Sequence, residues 1–314
     1  MVLKGYNKDN FMKKAVLPDG YKYIAALVTM RCNLNCSFCL NAFDRRFDRR
    51  RFEEISAEKW AEALNRIDSR PDVPVTFSGG EPFLHKGFIR IINHLKPELP
   101  IDILTNLQWG KKGVERFIRE VEPERLKRNS PYASIRVSYH PEQMRDSQKL
   151  VDDAKRLQDA GFSIGIWAVQ YPSPQQLEAI TQMQFRCRNS GIDFRLKDFT
   201  GRYEGKDDFG RDFSITYGDY SKYPGSAFSN QLRRCKCRTS ELLIGPNASV
   251  YRCHRDMYAE ENSIGSLLDE NFELKDIFRP CNNYGQCHPC DVKAKTNYRQ
   301  QLGHTSVEIT ETKD

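Results

Sequence analysis

The chain has 314 residues, and 49 Lys and Arg against 42 Asp and Glu leave a formal charge of +7. That excess is too mild to argue for a nucleic-acid partner, and the length suffices for a full core plus a smaller second module. Ten cysteines are too few for a disulfide scaffold of this size, residues 1–20 are charged with no secretory apolar run, and no apolar stretch is long enough to span a membrane. The cysteines are therefore expected in a reducing cytoplasm, where clustering points to metal or redox chemistry.

Residues 23–28 read as a first strand, and Cys32, Cys36 and Cys39 follow it in a C-x3-C-x2-C run. Three thiolates on one short loop suit three irons of a [4Fe–4S] cube and leave the fourth iron open. A structural zinc would want four closed ligands, and a loop this short cannot pair three cysteines with each other. The basic stretch 44–54, with Arg45, Arg46, Arg49, Arg50 and Arg51, is either a solvated loop or a rim that docks an acidic electron donor or an anionic substrate.

Ser56 caps a predicted helix whose face carries Ala57, Trp60, Ala61, Leu64 and Ile67. Residues 73–77 form a second strand ending in Ser78-Gly79-Gly80-Glu81-Pro82. Phe88, Ile91, Ile92 and Leu95 then give a helical stripe. A strand over 101–104 runs into Thr105-Asn106, and Val114, Phe117, Ile118 and Val121 share the next helix. Strands over 134–139, 162–169 and 194–199 alternate with a helix stopped at Gly161 and one begun by Ser173-Pro174.

Six strands alternating with five helices predict an α/β fold, a partial (β/α)6 TIM-like barrel over residues 23–200 with a small cysteine-rich α+β module behind it. Chemistry on such sheets gathers at the carboxyl ends of the strands. The cysteine loop, Gly79–Pro82, Thr105-Asn106 and the stretch from Ser138 to His140 all fall there. Residues 201–230 lack any period and read as a linker or active-site loop. Cys235, Cys237, Cys253, Cys281, Cys287 and Cys290 follow, with a hairpin over 242–251 and a short helix over 267–278. Cys187 lies on an apolar helix face and reads as core.

The cysteine triplet with Phe38 before its last member, together with Gly79-Gly80-Glu81-Pro82, resembles the radical S-adenosylmethionine (SAM) enzymes. The resemblance implies that Cys32, Cys36 and Cys39 hold a catalytic [4Fe–4S] cluster that chelates SAM and cleaves it reductively to a 5′-deoxyadenosyl radical. It places Phe38, Gly79, Gly80, Glu81, Pro82, Thr105, Asn106 and Ser138 around SAM, although the last three are also ordinary strand-end residues. His140 is either a proton donor or a satisfied rim histidine.

The later cysteines resemble the Twitch and SPASM modules. That implies an auxiliary [4Fe–4S] cluster on Cys253, Cys287, Cys290 and either Cys235 or Cys237, with Cys281 left over; two clusters or a zinc are the alternatives. Ala248 departs from the glycine usual at the hairpin turn there.

Three functions are weighed. The first is oxidation of a small molecule, with the auxiliary cluster accepting an electron and flavodoxin or ferredoxin supplying one. The second is maturation of a ribosomally made peptide, disfavoured because residues 1–22 leave no room for a fused recognition domain. The third is a zinc-stabilised RNA-binding protein, which lacks interleaved aromatics and leaves the glycine-rich rim unexplained.

Overall fold

A computed structural model describes residues 13–37, 39, 52–199, 201–206, 209–217, 233–284 and 307–311. Phe38, the arginines of the basic stretch, Cys287 and Cys290 lie outside them.

The chain runs β1 (Ala15–Val16), β2 (Tyr23–Thr29), α1 (Ala57–Asn65), β3 (Ile67–Asp68), β4 (Val75–Gly79), α2 (Phe88–His94), β5 (Ile101–Thr105) and α3 (Gly110–Glu120). It continues through β6 (Ile135–Tyr139), α4 (Ser147–Asp159), β7 (Ile164–Gln170), α5 (Pro174–Ser190) and β8 (Asp193–Asp198). Beyond these come β9 (Gly201–Lys206), β10 (Asp212–Tyr217), β11 (Arg233–Thr239), β12 (Glu241–Ile244), β13 (Ser249–Tyr251), α6 (His254–Ala259), β14 (Gly265–Ser266), β15 (Arg279–Tyr284) and β16 (Val307–Glu311).

Nine strands form the main sheet in the order β14-β13-β12-β2-β4-β5-β6-β7-β8. From β2 to β8 every neighbouring pair is parallel, the six-stranded α/β arrangement expected of a partial barrel. The alternation of each strand separates two faces. Ile24, Ala26, Val28, Phe77, Ile103 and Val137 pack against Trp60, Leu64, Phe88, Ile91 and Phe117 of the helices. Fully burying one such side chain contributes about 1.5–3 kcal/mol. The opposite parity on β2, Ala25 and Leu27, meets Leu243, Tyr251, Met257 and Tyr258 from the C-terminal third.

Local chemistry explains most boundaries. The Ser56 hydroxyl accepts from the Lys59 amide at 3.3 Å, as a helix cap should. Gly191 ends α5 in the left-handed region (φ 68°), where a side chain would be strained. Pro174 opens α5, but the Ser173 hydroxyl bonds Gln175 Oε1 at 2.9 Å and does not cap.

Four expectations are corrected. Ile67 leaves the α1 stripe for β3, which pairs in parallel with β1 and so ties the N-terminal extension to the barrel. Residues 201–217, expected without order, form the antiparallel hairpin β9–β10, closed by a Lys206–Asp212 ion pair. The helix expected over 267–278 is absent, because turns bonded through Asp269 interrupt it. The hairpin β12–β13 forms as expected, yet it continues the main sheet, with β12 parallel to β2 (Leu243 opposite Ala25).

Candidate active site

Strand β2 delivers the cysteine loop to the carboxyl edge in the middle of the sheet. Cys36 is buried and Cys32 and Cys39 are half-buried. Burial, with the neighbouring charges of Cys39, Glu142 and Cys32, pushes the Cys36 thiol up to about 12. Thiols so placed reach the thiolate form readily only beside a cation.

Polar contacts clamp the loop at both flanks. Arg31 makes a two-pronged bond to Glu54 (Nε–Oε1 2.8 Å, Nη2–Oε2 2.7 Å) and donates to the Leu84 carbonyl at 2.8 Å. Glu142 Oε1 accepts from the Ser37 amide at 2.6 Å, and Gln143 Oε1 accepts from Asn35 at 3.3 Å. Asn106 Nδ2 donates to Asn33 Oδ1 at 2.8 Å, and Asn33 Nδ2 in turn donates to the Gln108 carbonyl at 2.9 Å. None of Arg31, Glu54, Glu142 or Gln143 was expected from the sequence; a charged residue in a loop gives no sign of the partner it folds against.

The glycine pair allows this packing. A Cβ on Gly79 would lie 2.1 Å from the Thr29 carbonyl oxygen, and one on Gly80 would lie 2.0 Å from that of Arg31. Bare backbone at both positions lets β4 end against the cysteine loop, and the Gly80 and Glu81 amides donate to those same two carbonyls at 2.8 Å. Pro82 opens a single 3-10 turn.

Glu81 points inward. Its carboxylate accepts from Thr105 Oγ1 (2.8 Å), the Asn106 amide (2.7 Å), the Phe83 amide (3.2 Å) and Trp109 Nε1 (3.1 Å). Burial raises its pKa, and these four donors oppose the shift. The side chain thus ties the end of β4 to the end of β5, while its backbone amide holds the Arg31 carbonyl beyond β2.

Thr105 and Asn106 belong to the same network, both almost fully buried. Ser138 is half-buried on β6, in register with Trp167 of β7. His140 sits just past β6, where burial, aided by Lys197 and opposed by Glu142, pushes its pKa down to about 4. Its imidazole is neutral near pH 7, which disfavours the proton-donor reading. Cys187 is core, as expected: it is fully buried against Met183.

Residues 27–166 match the family model described as Radical SAM superfamily. That stretch, rather less than half of the chain, is similar to a radical SAM domain. The Bacillus subtilis sporulation killing factor maturation protein SkfB is 24% identical over 174 residues, covering 55% of this chain and 38% of that protein. A Selenomonas ruminantium S-adenosylmethionine-dependent nucleotide dehydratase is 28% identical over 81 residues (25% of this chain, 27% of that one). The Bradyrhizobium diazoefficiens PqqA peptide cyclase is 30% identical over 80 residues (26% and 20%). The chain therefore matches well under half the length of these relatives. Streptococcus suis SuiB bound to precursor peptide SuiA is a structural neighbour at TM-score 0.49 and 14% identity, covering 80% of this chain and 63% of that one.

Three thiols on one short loop, Cys32, Cys36 and Cys39, are a donor set of the kind that takes three irons of an iron–sulfur cube. Among the described residues no three His, Cys, Asp or Glu side chains converge closely enough to hold one metal ion. Three thiolates that each take a different iron of a cube stand further apart than ligands of one ion.

The second cysteine group lies beyond the stretch matched by the family model. Cys237, Cys253 and Cys281 are all buried, and Cys235 on β11 stands opposite Cys281 on β15. Cys253 caps α6, its sulfur accepting from the Asp256 amide at 3.5 Å. Arg252 bonds Asp256 Oδ2 at 2.6 Å and the Pro280 carbonyl. The Arg252 pKa is raised: burial opposes the shift, and Cys237, Asp256 and Cys253 outweigh it. Cys281, left over in the sequence reading, is buried like Cys237 and Cys253. Ala248, where a glycine was expected, takes the left-handed conformation regardless (φ 63°) with its methyl buried.

Proposed function

We propose that this chain is a radical SAM enzyme that modifies a peptide, with Cys32, Cys36 and Cys39 holding the catalytic [4Fe–4S] cluster. The carrying observation is the cysteine loop pinned at the sheet's carboxyl edge by the Arg31–Glu54, Asn33–Asn106 and Ser37–Glu142 contacts. When bound, the cluster and SAM supply a reducing electron and a 5′-deoxyadenosyl radical. The chain's own groups fix the three sulfurs, present the backbone of Gly79–Pro82 to the cofactor edge and line the concave face with Ser138 and His140.

The peptide reading rests on the names of two relatives, a maturation protein and a peptide cyclase. It displaces the small-molecule oxidation first favoured from the short N-terminal extension. A small-molecule substrate stays in view because a third relative is a nucleotide dehydratase. The buried cysteines Cys237, Cys253 and Cys281, with Cys235, Cys287 and Cys290, are the candidate ligands of an auxiliary [4Fe–4S] cluster. That cluster's expected work is electron transfer, and flavodoxin or ferredoxin is the proposed donor to the first site.

Anaerobically reconstituted protein with SAM and dithionite should release 5′-deoxyadenosine, and replacing Cys32, Cys36 and Cys39 together by alanine should abolish it. A peptide encoded beside the gene should then change mass in step with 5′-deoxyadenosine. An unchanged peptide alongside a consumed nucleotide would reverse the substrate assignment.

A further inference from the structure

The opposite end of the barrel holds a cavity that the chemistry above does not use. It encloses about 130 Å³ at the amino ends of β2, β4 and β6, and Lys22, Tyr23, Thr76, Arg128, Ser130 and Arg136 line it. Asp72 is its one acidic lining residue among those described, and Asp72 already faces Arg70 at 3.7 Å.

Charge is unbalanced there. Arg128 Nη2 and Arg136 Nη2 share a single carboxylate oxygen, Asp102 Oδ2, at 3.1 and 2.9 Å. The two arginine side chains are 8% and 12% exposed and Asp102 is wholly buried, yet Asp102 does not line the cavity. Neither arginine Nε has a hydrogen-bond partner among the described residues. The Tyr132 ring lies 5.1 Å from one guanidinium and 4.9 Å from the other, which spreads the charge without cancelling it. Two buried cations on one carboxylate leave an excess of one, and an uncompensated buried charge is costly. Lys197 of β8 reports the same field: burial, then Arg136, lowers its pKa to about 8.

We propose that this cavity binds a small oxyanion, phosphate or carboxylate, between Arg128 and Arg136 with Lys22 at the mouth. Guanidinium forks match both anions in two-pronged geometry, and the volume admits a phosphate but not a nucleotide. The site lies at the end of the barrel away from SAM, so its ligand is neither cofactor nor reacting substrate. Its effect would be to fix the segment 128–132 that leads into β6.

Isothermal titration of the reconstituted full chain with sodium phosphate, and separately with sodium acetate, tests this at constant ionic strength set by chloride. Saturable one-to-one binding of either anion is expected, and the anion that binds names the source. Arg128→Gln keeps a one-to-one Asp102–Arg136 pair and should weaken binding roughly tenfold. Ser130→Glu places a carboxylate at the mouth and should abolish binding while raising the melting temperature. Binding of neither anion to the wild-type chain overturns the proposal. So does phosphate affinity unchanged within about twofold in both variants, which would put the anion elsewhere.

Discussion

Glu81 offers the sharpest test of how the site is built. Replacing it by glutamine keeps shape and one carbonyl oxygen but sets an NH2 group against the Asn106 amide, which now donates at 2.7 Å. One charge-assisted bond is lost and one buried donor is left facing another, a cost of about 2–3 kcal/mol. Alanine strands more. The Trp109 indole can still bond Thr105 Oγ1 at 2.9 Å, but the Phe83 and Asn106 amides both lose their acceptor, for roughly 4–6 kcal/mol including the cavity. Against a total stability of about 5–15 kcal/mol, the alanine variant should be close to unfolded. The glutamine variant should melt roughly 3–5 °C lower by far-ultraviolet circular dichroism under anaerobic conditions. Its SAM affinity should fall little once corrected for the folded fraction. A glutamine variant that melts with the wild type and fails to bind SAM would refute the clamp and make Glu81 a cofactor ligand.

Gly80→Ala should displace the cysteine loop, since its methyl would sit 2.0 Å from the Arg31 carbonyl oxygen; iron per chain after reconstitution should fall to about half. The depressed His140 pKa, about 4, means the unfolded chain binds a proton between pH 4 and the ordinary imidazole range while the folded chain does not. Stability should therefore fall as pH is lowered through that window, by at most roughly 3–4 kcal/mol, and His140→Gln should flatten the profile in urea titrations. Changing Cys253 and Cys281 together to serine should remove about half of the iron while 5′-deoxyadenosine still forms; full iron in that variant would leave both cysteines as core. Ala248→Gly should change stability by less than about 1 kcal/mol, because relief of the left-handed strain is offset by a lost buried methyl and a floppier unfolded chain.

What was legible followed from periodicity. The parallel strands and their helices carry apolar residues at intervals of two and of three to four, so the barrel could be read to within two or three residues. The cysteine triplet was legible because its spacing is short and its chemistry narrow. The clamp was not, because Arg31 and Glu54, or Ser37 and Glu142, are joined only by the fold. Gly79 and Gly80 were read as leaving room for a ligand, and they leave it first for the neighbouring strand. The hairpin β9–β10 escaped notice because Tyr203, Phe213 and Ile215 alternate with too many glycines and charges to show a period. The helix expected over 267–278 was suggested by Leu267, Leu268 and Leu274, but those residues pack from an irregular segment whose turns are made by Asp269 and Ser266.

The position of β12 beside β2 sets an order of events during synthesis. The strand that carries the cysteine loop has β4 on one flank and β12 on the other, and β12 lies some two hundred residues further along the chain. At ribosomal rates of about 5–20 residues per second that flank stays open for roughly 10–40 s. An open apolar strand edge invites pairing with other nascent chains, so slower growth at low temperature should improve soluble yield. Iron delivered to the finished chain meets a supported site, whereas iron delivered to the growing one meets cysteines on an unfinished edge.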